Sequence, residues 1–177
     1  MTAPLRVCFV CTGNICRSPM AEVVLRQKVD DAGLPDLVQV DSAGTSGYHS
    51  GEGMDPGAIA ALAAKGYDGS GHVARQFDPT WLERRDYVIA LDRSHLKILE
   101  QEAERDETTE VDLLRTFDPT AKGALDVADP YGGSHREFER CLDMIERGCV
   151  GLLDHLEARL GAEGGPLSSP DGGSTRR

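Results

Sequence analysis

Five residues separate Cys11 from Arg17 in the stretch Cys11-Thr12-Gly13-Asn14-Ile15-Cys16-Arg17-Ser18. The octet lies between an apolar run, Val7-Cys8-Phe9-Val10, and a helical pattern that opens at Pro19. A loop closing into a helix N-terminus turns successive backbone N–H groups inward, and with the helix dipole they form an anion site. Gly13 suits such a nest, whose backbone needs φ/ψ values that a β-carbon resists. Asn14 is the next most tolerant of a left-handed backbone. Arg17 adds a planar fork that can hold two oxygens of a tetrahedral phosphate at once. Cys11 then sits among N–H donors, a dipole end and a guanidinium, which together favour its thiolate. The chemistry this predicts is attack by sulfur on phosphorus.

Each of these residues alone has an ordinary structural reading: a small buried cysteine, a Gly-Asn turn, Ser18-Pro19 as a helix cap and first turn. In this order, after an apolar strand, the set points to a phosphate site. Zinc is the rival, because Cys8, Cys11 and Cys16 are close in sequence. Cys8 belongs to the apolar strand, and no second cluster of ligands follows. No metal and no cofactor are expected.

At 177 residues the chain is long enough for one domain with a proper core. A formal net charge of −11 argues against nucleic acid or an anionic membrane as partner, since both need a basic face. The N-terminal residues lack the pattern of a secretory leader, and no window has the length of a membrane span. A cytoplasmic protein with its five cysteines reduced is expected.

The elements that must position the octet follow from periodicity. Leu5 to Val10 is a short unbroken apolar run, as in a strand buried on both faces. A helix runs from Ser18 to Gly33, and Pro35 prevents its resumption. Leu37 to Val40 reads as a second strand leading into Asp41-Ser42-Ala43-Gly44-Thr45. Residues 44–57 read as a flexible glycine-rich surface loop that carries two large polar-tipped rings, Tyr48 and His49. Pro56 to Lys65 is an alanine-rich helix, and Asp78-Pro79 opens a short one through Arg85. Tyr87 to Leu91 is a third strand, with Asp92 capping a helix over Arg93 to Glu104. Val111 to Leu114 is a fourth strand, followed by an aperiodic loop from Thr116 to Gly133. Ser134 and Glu137 form a capping box that opens the longest helix. Its apolar stripe is Phe138, Leu142, Ile145, Cys149, Leu152, Leu156 and Leu160. Residues 161–177, rich in Gly, Ser and Pro, read as a disordered tail.

Strands alternating with helices predict an α/β fold: a single-domain, doubly wound, four-stranded parallel sheet with helices on both faces, of flavodoxin-like type. In such sheets ligands bind beyond the carboxyl ends of the strands, where the Cys11 loop falls.

The octet, Asp41-Ser42-Ala43-Gly44-Thr45 after the second strand, and Asp129-Pro130-Tyr131 before the last helix resemble the low-molecular-weight protein tyrosine phosphatases. The likeness implies a phosphatase domain over residues 1–160 that hydrolyses phosphotyrosine through a phosphocysteine. It implies Cys11 as nucleophile, Arg17 as phosphate clamp and Asp129 as general acid. Thr12, Gly13, Asn14, Ile15, Cys16 and Ser18 would complete the binding loop, with Tyr48, His49 and Tyr131 at its rim. Asn14, Ser18, Ser42 and His72 match the family's supporting hydrogen-bond network. Cys16 matches the residue that traps an oxidised nucleophile as a disulfide. Tyrosine-phosphorylated proteins are the partners implied, and inorganic phosphate the product.

One departure concerns the rim: many members carry two tyrosines after Asp-Pro, whereas Tyr131 is followed by Gly132 and Gly133. Arsenate reductases of the same fold need further cysteines near mid-chain, and none lies between Cys16 and Cys141. Arginine phosphatases typically have threonine where Ile15 stands, and an apolar side chain suits an aromatic ring better. A non-catalytic phosphotyrosine-binding module would be expected to lack the nucleophile or the acid.

Overall fold

The computed structural model describes residues 3–103 and 108–163. Four strands, β1 (Leu5–Cys11), β2 (Val38–Gly44), β3 (Tyr87–Ala90) and β4 (Glu110–Leu113), form one parallel sheet in the order β2-β1-β3-β4. Four α-helices connect and cover them: α1 (Arg17–Asp31), α2 (Pro56–Ala64), α3 (Arg93–Ala103) and α4 (His135–Glu163). Two 3-10 turns, Pro79–Arg84 and Leu114–Phe117, complete the regular structure.

The alternation of strand side chains divides the core in two. Leu5, Val7, Phe9 and Cys11 of β1 pack with α1, α2 and α4 on one face. Cys8 and Val10 pack on the other with Leu82, Val88, Ala90, Leu99 and Leu113. Because β1 from Val7 onward and β3 are buried on both faces, they read as continuous apolar runs; Arg6, inside the run expected from Leu5 to Val10, is exposed. On α4 the buried residues Phe138, Leu142, Ile145, Cys149, Leu152 and Leu156 follow the expected stripe, with Leu160 half-buried at its end. Each fully buried leucine there contributes about 1.5–3 kcal/mol over an exposed one. The expected capping box forms: Ser134 N–H donates to Glu137 Oε2 at 2.6 Å, and Glu137 N–H to Ser134 Oγ at 3.4 Å.

Boundaries shift for identifiable reasons. β2 continues four residues beyond Val40, because Asp41 to Gly44 pair in register with Cys8 to Cys11. β4 starts and ends one residue early, and Leu114 opens a 3-10 turn. α4 extends to Glu163, past the expected start of the tail at Gly161. Residues 164–177, and Glu104 at the expected end of α3, lie outside the described residues. The segment after β2 is no loose loop: Thr45 and Ser46 donate to the Cys11 and Thr12 carbonyls, and Asp55 to that of Ile15. Among the described residues, no helix is long and apolar enough to cross a membrane.

The chain leaves β1 toward β2 and later returns to β3 on the other side of β1. That reversal opens a crevice at the carboxyl end of β1. Cys11 is the last residue of β1 and Arg17 the first of α1.

Candidate active site

The five residues between Cys11 and Arg17 curl back over the end of β1. The N-cap position of α1, Cys16, makes no side-chain capping bond, so the first-turn amides are left for an anion. A cavity of about 250 Å³ opens over them, lined by Cys11, Thr12, Gly13, Ile15, Cys16, Arg17, Ser46, Tyr48, His49, Asp129 and Tyr131. It thus brings together the expected nucleophile, clamp and acid with most of the expected binding residues.

Asn14 holds the loop from beneath. It is fully buried at φ 56°, the left-handed conformation that costs an ordinary residue about 1–2 kcal/mol. Its side chain offsets that strain: Nδ2 donates to Ser18 Oγ at 2.8 Å and to Ser42 Oγ at 2.9 Å, while Oδ1 accepts from Arg75 N–H at 3.0 Å. The Asn14 carbonyl accepts from His72 Nε2 at 2.6 Å. Ser42 Oγ donates to Glu22 Oε2 at 2.6 Å. Ser18 Oγ lies 2.9 Å from the Cys11 sulfur. The four residues expected as loop support are therefore joined in one network, which also recruits Glu22 and Arg75. A larger hollow of about 470 Å³ lies behind it, lined in part by Glu22, Ser42, His72 and Arg75, whose polar groups pair with one another.

Gly13 needs a correction. It does not take a positive φ; the left-handed position is Asn14. What Gly13 provides is space, since a β-carbon there would approach His49 Cδ2 to 3.0 Å. The His49 ring packs edge-on to Tyr48 at 4.9 Å and faces Tyr131 at 6.2 Å, so the three rings form one side of the mouth. Its Nδ1 lies 2.8 Å from Glu52 Oε2.

Arg17 is 4% exposed and aimed by two acceptors: its NH1 donates to Asp92 Oδ2 at 2.6 Å and to the Val127 carbonyl at 3.0 Å. Asp92 also caps α3 as expected, with Oδ1 accepting from the Ser94 and His95 amides. Burial alone would raise the Asp92 carboxyl, but bonds from Ser94 and Arg17 and the charges around it outweigh burial and hold it at about 2. Asp129 is half-exposed across the mouth, with Oδ2 3.6 Å from Arg17 NH2. Its Oδ1 accepts from the Tyr131 amide at 3.1 Å, which forms an Asx turn. Burial first, then the Asp55 carboxylate and Cys11, push the Cys16 thiol far above its ordinary value, so Cys16 is a neutral thiol.

Sequence reasoning missed the second function of Asp92, and it missed His95, whose Nε2 lies 2.8 Å from Thr12 Oγ1. A signal for Asp92 was present: it follows β3 directly at the carboxyl edge, where ligand-facing groups collect. For His95 there was none, since a histidine in a first helical turn has no distinctive spacing.

A cysteine and an arginine sharing one anion loop at the switch point of a parallel sheet, faced by a carboxylate, define an α/β phosphate-ester hydrolase. The family model of the low molecular weight phosphotyrosine protein phosphatases matches residues 6–162. A low molecular weight protein-tyrosine-phosphatase of Streptomyces coelicolor is 58% identical over 151 residues, covering 84% of this chain and 91% of that one. Low molecular weight protein-tyrosine phosphatase A of Mycobacterium tuberculosis is 45% identical over 165 residues, covering 93% and 99%. The crystal structure of a protein tyrosine phosphatase from Entamoeba histolytica superposes with a TM-score of 0.83 at 30% identity, covering 88% of this chain and 99% of that one. The chain belongs to the low molecular weight phosphotyrosine protein phosphatase family, and it is a hydrolase.

Proposed function

We propose that this enzyme hydrolyses phosphotyrosine in proteins by way of a phosphocysteine. The observation that carries the reading is the convergence of the Cys11 sulfur, the Arg17 fork and the Asp129 carboxyl on one cavity with an aromatic rim.

The steps follow from that geometry. The loop amides and Arg17 bind the phosphate, with NH1 anchored on Asp92 and Val127 and Nε and NH2, the latter 3.6 Å from Asp129 Oδ2, left to meet two phosphate oxygens. The Cys11 thiolate, with the Ser18 hydroxyl beside it as donor, attacks phosphorus as the bond to the phenolic oxygen breaks. Asp129 gives that oxygen its proton; a tyrosine phenol, of pKa about 10, is a poor leaving group without it. Water then attacks the phosphocysteine while the Asp129 carboxylate accepts its proton. Inorganic phosphate leaves, and the thiolate and the acid are both restored. Ile15, His49, Tyr48 and Tyr131 favour a flat ring over a serine or guanidino group.

The test is a panel of phosphotyrosine, phosphoserine, phosphoarginine and arsenate, run with the native chain and with Cys11→Ser. Turnover of phosphotyrosine alone, abolished in the variant, is the expected result. Preferred turnover of phosphoarginine or arsenate, or an active Cys11→Ser variant, would overturn the proposal.

A further inference from the structure

Thr12 lines the cavity, and its Oγ1 is 2.8 Å from Nε2 of His95, the third residue of α3. The His95 ring is 1% exposed, so its protein partners decide where its protons sit. Burial lowers the imidazole from 6.5 to about 4, against the upward pull of the Asp92 carboxylate, which leaves the ring neutral at neutral pH. A neutral ring has one N–H to place.

Two arrangements compete. Nδ1 is 3.3 Å from both the Asp92 backbone nitrogen and Asp92 Oδ1. With the proton on Nδ1, that N–H would confront the Asp92 amide N–H, and Oδ1 would have to take another bond. Oδ1 already accepts from the Ser94 amide, the Ser94 hydroxyl and the His95 amide. With the proton on Nε2, Nδ1 accepts from the Asp92 amide and every donor has an acceptor. Nε2–H then donates to Thr12 Oγ1, and the hydroxyl proton of Thr12 must turn to another acceptor. Thr12 lines the cavity together with Cys11, Arg17 and Asp129.

We propose that His95 is a positioning residue which sets the Thr12 hydroxyl as a hydrogen-bond donor into the cavity, where it holds an oxygen of the bound phosphate monoester. This deepens the function proposed above and rests on it. The same arrangement ties both side-chain donors of the cradle to one place. Asp92 holds Arg17 through Oδ2, and through Oδ1 it caps the helical turn that carries His95.

Two measurements test it. Nitrogen-15 NMR of the native protein at pH 7 reports the tautomer directly: a protonated Nε2 whose signal moves in Thr12→Val is expected, and a protonated Nδ1 would overturn the proposal. In kinetics, Thr12→Val and His95→Leu should each lower kcat/KM for an aryl phosphate, and affinity for inorganic phosphate, by about ten- to hundredfold, the size of one hydrogen bond to a charged group. The double variant should be no worse than the worse single one, while Thr12→Ser and His95→Gln recover most of the loss. Losses that multiply in the double variant, or a Thr12→Val enzyme equal to the native one, would overturn it. Should His95→Leu fail to fold, the exposed Thr12 pair and the NMR signal decide alone. An enzyme inert toward aryl phosphates, or indifferent to Cys11→Ser, would sink the proposed function instead.

Discussion

Replacing His95 with glutamine should flatten the acid side of the stability curve. In the native state the buried imidazole accepts a proton only near pH 4, against 6.5 for the exposed ring of the unfolded chain. Between those values the unfolded state binds a proton that the native state refuses, so stability is present above pH 6.5 and falls as pH drops toward 4. At about 1.36 kcal/mol per unit, the gap corresponds to a loss of about 3 kcal/mol between pH 7.5 and 4. That is a large share of the roughly 5–15 kcal/mol available to a domain. Glutamine has no charge to gain, so His95→Gln should lack this component. Urea unfolding at the two pH values, native against variant, isolates it: the native protein should lose about 3 kcal/mol more than the variant. The Asp92 carboxyl, held at about 2, is ionised in the native state throughout this window. An equal loss in both proteins would refute the neutral buried ring.

Asp129→Asn should slow phosphoenzyme formation by roughly 10²- to 10⁴-fold for phosphotyrosine and far less for an aryl phosphate with an acidic phenol; equal losses in the burst phase would remove Asp129 as the acid. Mild peroxide should inactivate the enzyme reversibly through a Cys11–Cys16 disulfide, and Cys16→Ser should turn that into irreversible over-oxidation, as peptide mapping would show. Gly44→Ala should cut kcat/KM, because a β-carbon there would lie 2.6 Å from the Thr12 carbonyl oxygen and 3.1 Å from the Asn14 nitrogen. An unchanged rate would mean the loop yields without consequence.

The octet was legible because its parts are contiguous: one short loop carries the thiol, the amides and the guanidinium, and its reading needs no tertiary information. The sheet was legible because β1 from Val7 onward and all of β3 are covered on both sides and therefore apolar. What could not be read was set by contacts across long separations. Asp92 reaches Arg17 from 75 positions away, and the Ser42 hydroxyl reaches Asn14 from 28. The polar end of β2, Asp41 to Gly44, has no strand-like pattern, and only its pairing with β1 makes it a strand. Gly13 and Asn14 were both read as backbone specialists, yet the left-handed conformation fell to Asn14. Its side chain bonds three neighbours there, while a glycine would leave the space beneath the loop empty.

The three groups proposed to react are not held with equal force, and the difference follows the tasks proposed for them. Cys11 ends a central strand and Arg17 is buried between two acceptors, so both are fixed before any substrate arrives. Asp129 is half-exposed, and among the described residues its side chain meets its own turn and, at 3.6 Å, Arg17. Its position is instead inherited from the backbone two residues earlier. The Val127 amide donates to the Leu91 carbonyl just past β3, and the Val127 carbonyl accepts from Arg17. One buried residue thus joins the end of the sheet, Arg17 and the segment that carries Asp129. On the far side Ser134 and Glu137 fasten the segment to the start of α4. In the proposed mechanism, a carboxyl carried between two such anchors meets a leaving oxygen and then a water, while Cys11 and Arg17 hold the phosphorus in place.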